Sequence, residues 1–366
     1  MRLYLDHNAH SPLRPQLRDW LAARLASPTA NPGSIHLEGQ GARAEVDRTR
    51  RQLLAELGTT NGRIVFTSGA TEANNLALRA MLAAGSVAAA LTEHTSVVEV
   101  LERAGEGGAS VFKLAVDASG LIEVDDVDRL LRNGLRGIAL LAYNNETGVR
   151  QPVEEVAALC LAHGAHLHVD AAQHLFRYPW SHHAGISSVT MSAHKAGGPT
   201  GVGALWWAPE RGPAPLMLGG SQERGARPGT EAGWLIGALG QLAGGGSFAD
   251  WLALASLRDA FEERLASALG AVPNGGGSLR APNTSNLWVP GHDAEQGLMA
   301  LDLAGIAASA GSACHAGALE PSPVLQAMGL SEERVAASFR FSFGPEHSGG
   351  SGSDIADRVI AALRGD

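Results

Sequence analysis

Apolar runs of strand length alternate with longer amphipathic segments through the middle of the chain. The strand-like runs are RIVFTSG, SVAAALTE, GIALLAYNNETG, AHLHVDAAQ, SSVTMSAHK and GVGALWW. Helical periodicity lies between several of them, as at residues 71 to about 82 and 152–163. The alternation over residues 63–207 predicts an α/β layer built on a mostly parallel sheet.

A glycine-rich break near residues 244–247 divides the chain into two parts. A chain of 366 residues is long for one hydrophobic core, so two domains are expected. The segment SFADWLALASLRDAFEERLASALG after the break is helical in pattern, and an α+β pattern follows it. We predict a large domain at residues 13–247 and a small α+β domain formed by residues 1–12 and 248–366. Residues 345–354, PEHSGGSGSD, are predicted to form a flexible surface loop.

Composition narrows the classes of function. The formal net charge is −9 and no long Lys/Arg block occurs, which disfavours nucleic acid or an anionic membrane as the main partner. The amino-terminal residues MRLYLDHNAH lack the apolar stretch of a signal peptide, and no run is long enough to span a bilayer. The two cysteines, Cys160 and Cys314, do not make a disulfide framework. A reducing cytoplasm is therefore the expected location.

Lys195 stands out among the polar residues that follow the predicted strands. It ends the run SSVTMSAHK and precedes two glycines, and Lys113 is the only other lysine in the chain. Burial lowers the pKa of a lysine and frees its amine for Schiff-base chemistry, which arginine cannot perform. An isolated lysine of this kind is more often a surface residue, so the inference depends on its neighbours.

Other polar residues are expected near the same edge of the sheet. The second and third runs are predicted to end near His94 and at Asn144, and Asp170 closes AHLHVD. Asp170 suits a pyridinium nitrogen, His94 suits proton transfer over a ring, and the helix start at SGATE suits a phosphate. Helix capping explains Asp170 equally well and is the better explanation of SGATE taken alone. A core or surface role is likewise the better explanation of His94 taken alone. Cys314 lies among small residues, which favours a reachable thiol over a buried structural one.

Two other classes of function remain open from the residues alone. A metal-binding protein is suggested by a histidine-rich region, His163, His166, His168, His174, His182 and His183. A binding partner without enzymatic activity is the other class. The presence together of Lys195, His94, Cys314 and Arg340 argues against it.

Ordered motifs along nearly the whole chain resemble one family. They are LDHNAHSP, NPGSIH, FTSGATEANNLA, TEHTSV, NNETGVRQP, HVDAAQ, SAHKAGGPTGVGAL, GGSQERGARPGT, APNTSN, LDLAGIAASAGSACHAGALEPSPVL and FRFSFG. The sequence resembles the cysteine desulfurases of the NifS/IscS type, which are class V aminotransferase-like enzymes. The resemblance implies pyridoxal 5'-phosphate as cofactor and the fold type I architecture. That fold has a large domain with a mostly parallel seven-stranded sheet and a smaller α+β domain.

The resemblance also implies a role for each matching residue. Lys195 would form the Schiff base with the cofactor, Asp170 would hold the pyridine nitrogen, and Gln173 would bond the ring oxygen. His94 would stack on the ring and take part in proton transfer. The phosphate would be held by a group of small and polar residues, namely Ala70, Thr71, Ser192, His194 and, across a homodimer interface, Thr230.

The implied substrate is L-cysteine. Asn145 would contact cofactor and substrate, and Arg340 would hold the substrate carboxylate. Cys314 would take the sulfur as a persulfide, leaving alanine, and would pass it to an iron–sulfur scaffold or a tRNA-thiolation protein. The same thiol would be available for transient ligation of an iron–sulfur cluster.

Some residues depart from the family pattern. His10 stands where the family usually has Thr or Ser, Ala193 where a Gly is common, and His315 and Ala316 where Thr and Ser are more frequent. The ACH motif and the following PSPVL are similar to selenocysteine lyases. A selenocysteine lyase or a related C–S lyase is therefore the alternative function.

Overall fold

The computed structural model describes residues 2–27, 30–210, 212–244, 248–311 and 320–365. Its helices are α1 Pro15–Leu25, α2 Leu37–Glu56, α3 Ala70–Ala84, α4 Thr95–Glu106, α5 Val124–Arg132, α6 Val153–His163, α7 Gly233–Leu242, α8 Ala249–Leu269, α9 Ala294–Leu303, α10 Pro323–Ala327, α11 Glu332–Ala336 and α12 Gly352–Arg364. Its strands are β1 Leu3–Tyr4, β2 Arg63–Thr67, β3 Val87–Ala90, β4 Val111–Leu114, β5 Gly137–Leu141, β6 His166–Asp170, β7 Ile186–Ser192, β8 Gly203–Trp207, β9 Val272–Pro273, β10 Thr284–Trp288, β11 Ile306–Ala307 and β12 Ser338–Ser342.

A mostly parallel sheet forms the centre of the larger part of the chain. Within the described residues it has seven strands in the order β2-β8-β7-β6-β5-β3-β4. Strand β8 runs antiparallel to both of its neighbours, and the other pairs are parallel. Strands β5 and β6 are buried along their whole length, as expected when helices cover both faces. The predicted fold class is confirmed.

The seventh strand, β4, is not apparent from the pattern of the sequence. It lies at the edge of the sheet and pairs only with β3 among the described strands. Of its four residues only Leu114 is buried, and Phe112 and Lys113 are exposed. A strand with so little buried surface has no clear apolar run, so hydrophobic patterning misses it.

Two strands end earlier than the sequence predicts. Strand β3 ends at Ala90 rather than near His94, because the chain turns there and His94 caps α4 by accepting the N–H of Ser96. Strand β5 ends at Leu141 rather than at Asn144. The Asn144 side chain instead accepts backbone N–H groups in the turn that follows.

The carboxyl-terminal part has its own apolar core. Helices α8 and α12 pack together over an antiparallel sheet of β12, β10 and β9. The first residues of the chain join it, because β1 pairs with β11 and Leu3 and Leu5 lie in this core. The main core of the sheet is separate and contains residues between 17 and 243. The boundaries at residues 12 and 247 stay predictions.

Three further predictions can be compared with the structure. Cys160 is buried in the main core, and burial raises the pKa of its thiol to about 12, so it is an inert core residue. The prediction of a flexible loop at residues 345–354 is wrong in part. Pro345–His347 forms a 3-10 helix, and Ser351 caps α12, which begins at Gly352. No helix in the described ranges is long and apolar enough to cross a membrane.

Candidate active site

A cavity of about 430 Å³ opens where β5, β6 and β7 end and where α3 begins. This is the edge at which ligands bind in open parallel sheets. Most of the predicted site residues line it, namely Ala70, Thr71, His94, Asn145, Asp170, Gln173, His194 and Lys195. The lining also includes residues that had no predicted individual role, among them Tyr143, Thr200 and Gly201.

Lys195 follows β7 in a short 3-10 helix, His194–Ala196. Its Nζ donates to the backbone carbonyls of Asn8 at 2.6 Å and Ala9 at 3.0 Å. Burial and, to a smaller extent, the positive charges of Arg340 and Arg177 lower the pKa of Lys195 to about 7. Near neutral pH a large share of this amine is therefore unprotonated and nucleophilic.

Asp170 ends β6 and is 7% exposed. Its Oδ1 accepts the N–H of Ala172 at 2.9 Å, and its Oδ2 accepts the side-chain amide of Asn74 at 2.7 Å. The contact with Ala172 is a local turn, which by itself would account for an aspartate at this position. The carboxylate also lines the cavity, so the turn does not exclude a ligand-binding role.

Gln173 lies one turn beyond Asp170 and is held by a buried arginine. Its Oε1 accepts from Arg177 Nη1 at 2.7 Å, and its Nε2 donates to the carbonyl of Asn8 at 3.0 Å. Arg177 also donates through Nε to the Lys195 carbonyl at 2.6 Å, and its guanidinium lies 4.9 Å from the ring centroid of Trp251. Arg177 therefore fixes both Gln173 and the backbone at Lys195.

The start of α3 forms the end of the cavity that suits an anion. Gly69 is the N-cap residue of α3, and no side chain among the described residues caps this helix start. The first N–H groups of the helix are therefore available to a ligand. Glu72 lies in this first turn, but its carboxylate accepts from Arg227 Nε at 3.0 Å and from Ser68 N at 2.7 Å. The negative charge of Glu72 is thus largely compensated.

Buried hydroxyl groups without partners lie on the last residues of β7. Ser192 Oγ and Thr190 Oγ1 have no hydrogen-bond partner among the described residues. A buried polar atom without a partner is costly, so these atoms suit a bound polar group. The Lys195 amine, the Asp170 carboxylate and the open helix start, which all line the cavity, fit a phosphorylated aldehyde that carries a ring nitrogen.

Arg340 lies on β12 and is 4% exposed. Its Nη2 donates to Asp6 at 2.8 Å, and its Nη1 donates to the carbonyls of Asn145 at 3.2 Å and Gly311 at 3.3 Å. Its Nε is buried without a partner in the described chain. Binding of a substrate carboxylate by Arg340 would require exchange of these contacts.

Three predicted residues lie apart from the lining, and Cys314 is not described. Ser192 and Arg340 are buried but do not line the cavity, and Thr230 is exposed and outside it. Cys314, like His315 and Ala316, falls outside the described residues. Their predicted roles stay predictions.

The histidine-rich region forms hydrogen bonds with neighbouring side chains. His166 and His168 both contact Ser188 Oγ, at 3.0 Å and 2.9 Å, as residues on one face of a strand. Burial lowers the pKa of His168 to about 4. Across the described ranges, the one group with metal-compatible spacing lies elsewhere, at His7, Glu346 and His347. There His7 Nε2 and Glu346 Oε1 lie 2.7 Å apart, which an ordinary hydrogen bond explains.

Comparison with known proteins agrees with this site. The Aminotransferase class-V family matches residues 3–348. The chain belongs to the class-V aminotransferase family. Enzymes of this family depend on pyridoxal phosphate, and so does this one.

The similarity covers almost the whole chain. A relative from Dictyoglomus turgidum, "Cysteine desulfurase IscS", is 33% identical over 375 residues, which cover 99% of this chain and 95% of the relative. The X-ray structure of a NifS-like protein from Rickettsia africae ESF-5 matches with a TM-score of 0.89 and 27% identity, over 100% and 99% of the two chains. "SspA in complex with cysteine" matches with a TM-score of 0.82 and 29% identity, over 94% and 99%.

The low pKa of Lys195 gives the class-V enzyme a testable pH dependence. In the apoprotein, acylation of Lys195 should rise with pH and be half-maximal near pH 7, because the neutral amine is the reacting form. Competitive acetylation followed by peptide mass spectrometry measures this curve. Exposed Lys113 in the same digest supplies the reference, and coincident curves for the two lysines would contradict the assignment.

The close approach of β8 to the start of α3 gives a second prediction. A Cβ on Gly203 would lie 2.6 Å from the Met191 carbonyl and 2.8 Å from Gly69 Cα, so Gly203→Ala must displace the helix start. Overpacking typically costs about 1–3 kcal/mol, and we expect pyridoxal phosphate to bind the apoprotein at least about tenfold more weakly. Gly41→Ala, at an open position in α2, should leave the dissociation constant unchanged. Equal constants for both variants would refute this account of the helix start.

Proposed function

We propose that this class-V enzyme is a cysteine desulfurase that converts L-cysteine to L-alanine and takes up the sulfur on Cys314. The observation that carries the proposal is the cavity in which the Lys195 amine, the Asp170 carboxylate and His94 meet at the sheet edge. Its relative from D. turgidum bears that activity in its name, and a similar solved structure is described as a complex with cysteine.

The bound cofactor supplies an electron sink for the substrate α-carbon. Lys195 would hold the cofactor and, once released, take the proton from the substrate α-carbon, for which its lowered pKa suits it. Asp170 would keep the ring nitrogen protonated, and His94 would cover the ring. Gln173 would bond the ring oxygen.

The remaining contacts would orient the phosphate and the substrate. Asn145 and Arg340 would bind the substrate, with Arg340 exchanging Asp6 for the substrate carboxylate. The phosphate would be bound by residues at the start of α3 and the end of β7, namely Ala70, Thr71, Ser192 and His194.

Sulfur transfer would take place on Cys314. Its thiolate attacks the sulfur of bound cysteine, an S–S bond forms, and the C–S bond breaks with its electron pair left on the carbon skeleton. Protonation of that skeleton gives alanine. The net reaction turns L-cysteine and the Cys314 thiol into L-alanine and the Cys314 persulfide. In the sequence, Cys314 follows Gly311, whose carbonyl contacts Arg340, by three residues.

The assembly and the acceptor belong to the same proposal. Thr230 is exposed and lies outside the cavity of its own chain, which suits a role across a homodimer interface beside the Arg224–Arg227 segment. The persulfide would pass to an iron–sulfur scaffold or a tRNA-thiolation protein in the cytoplasm, and Cys314 would be free to ligate an iron–sulfur cluster transiently.

Selenocysteine lyase is the less favoured alternative. Proteins named cysteine desulfurase, from Trichormus azollae and D. turgidum, are among the relatives of this chain. We therefore favour the desulfurase and assign no separate activity to the departures at His10, Ala193 and His315.

Cys314→Ala tests the proposed reaction directly. The variant should lose alanine formation from L-cysteine under reductant, and the wild type treated with cysteine should carry one added sulfur atom on the Cys314 peptide. Amino-acid analysis and mass spectrometry measure the two results. Cys160→Ala, which removes the other, buried thiol, should keep the activity. Full alanine formation by Cys314→Ala would contradict the persulfide mechanism.

A further inference from the structure

Asn74 is a fully buried amide in α3 that had no predicted role. Its Nδ2 donates to Asp170 Oδ2 at 2.7 Å and to Ser96 Oγ at 2.9 Å. Its Oδ1 lies 3.0 Å from His168 Nε2. One side chain thus contacts both the Asp170 carboxylate and Ser96, whose hydroxyl is hydrogen-bonded to His94.

The direction of these hydrogen bonds is fixed by chemistry. An amide has two N–H donors and one oxygen acceptor, and the opposite orientation would place the Asn74 carbonyl against the Asp170 carboxylate. Both donors therefore point to Asp170 and Ser96, and His168 must donate its Nε2–H to Asn74 Oδ1. His168 then accepts from Ser188 through Nδ1, at 2.9 Å, as a neutral ring.

The same logic determines the tautomer of His94. The backbone N–H of Ser96 donates to His94 Nδ1 at 3.1 Å, so this nitrogen is an acceptor. The hydroxyl of Ser96, which accepts from Asn74, therefore donates its hydrogen to the same nitrogen, 2.8 Å away. Because His94 Nδ1 accepts both bonds, the proton of the neutral ring lies on Nε2.

The other ionisable groups around Asp170 do not replace this interaction. Glu93 is buried and accepts the N–H of Leu141 at 3.0 Å, and burial raises its pKa well above the ordinary range. Burial also lowers the pKa of His94 and that of His168. These shifts favour the neutral forms of Glu93, His94 and His168. Among the described contacts, the Asn74 amide is the side-chain donor to the buried Asp170 carboxylate.

We propose that Asn74 is a positioning residue that holds two groups at once, the Asp170 carboxylate and, through Ser96, the Nε2–H tautomer of His94. The inference rests on the proposed function, which assigns those two groups to the cofactor ring. Without the Asn74 donor, Asp170 keeps only the backbone N–H of Ala172 among its described hydrogen bonds, so its carboxylate is held less firmly toward the ring nitrogen and the ring is less protonated. The ring is then a weaker electron sink.

Asn74→Leu in the holoenzyme tests the effect on Asp170. We expect kcat for cysteine to fall at least about tenfold while KM changes less than about threefold. The absorption of the bound cofactor changes with pH, and the midpoint of this change should move to higher pH. The reason is that a less protonated ring withdraws less electron density from the nitrogen that joins the cofactor to Lys195, so that nitrogen holds its proton more strongly. Asn75→Leu is the matched control, because Asn75 is the next residue and bonds only to the carbonyl of Thr71 among the described contacts.

A second measurement needs no variant of Asn74. The ¹⁵N spectrum of histidine-labelled wild-type holoenzyme, with His94 assigned from His94→Gln, should show the neutral Nε2–H form. The Nδ1–H form would overturn the proposal, and so would an Asn74→Leu enzyme that loses activity with an unmoved pH midpoint. If Asn74→Leu does not fold, the wild-type spectrum decides.

A different result would contradict the proposed function. If wild-type holoenzyme forms no alanine from cysteine, the desulfurase assignment is wrong. The His94 tautomer and the pH midpoint still support or overturn the role of Asn74 in that case.

Discussion

The backbone carbonyl of Asn8 accepts hydrogen bonds from Lys195 Nζ and from Gln173 Nε2, and the site depends on this convergence. The side chain of Asn8 contacts Arg177 in the larger part of the chain and Asn283 and Thr284 in the carboxyl-terminal part. The amino-terminal segment thus joins two apolar cores at the cavity. A shift of this segment would move the lysine and the glutamine together.

This arrangement also explains why Lys195 is unusually easy to deprotonate. Its direct partners are neutral carbonyls, and burial is the main cause of its lowered pKa. The positive charges of Arg340 and Arg177 also lower that pKa, against the opposite effect of Asp6 and Asp170. Those arginines are themselves held by polar partners, such as Asp6 and Gln173, so their positions are fixed. A buried amine that faces fixed positive charge loses its proton near neutral pH, and an amine that forms a Schiff base requires this property.

The sequence predicts the parts of the fold and site that have local signatures. Apolar runs reveal six of the strands, and the scarcity of lysine marks Lys195. The edge strand β4 has no such signature because it buries only Leu114 fully. The contacts of Asn74 and Arg177 are also invisible locally, since they join residues far apart in the chain, as in the Asn74–Asp170 pair separated by 96 positions. Such pairs follow from the packing of α3 and β6, which hydrophobic patterning alone does not specify.

The central claim is that Lys195 carries the cofactor, and chemical trapping tests it most directly. Borohydride reduction of the pyridoxal-phosphate-loaded enzyme fixes the cofactor to its lysine, and peptide mass spectrometry locates it. The account predicts the adduct on the peptide that contains Lys195, with none on the exposed Lys113. An adduct on Lys113, or a loaded enzyme that yields no lysine adduct, would contradict it.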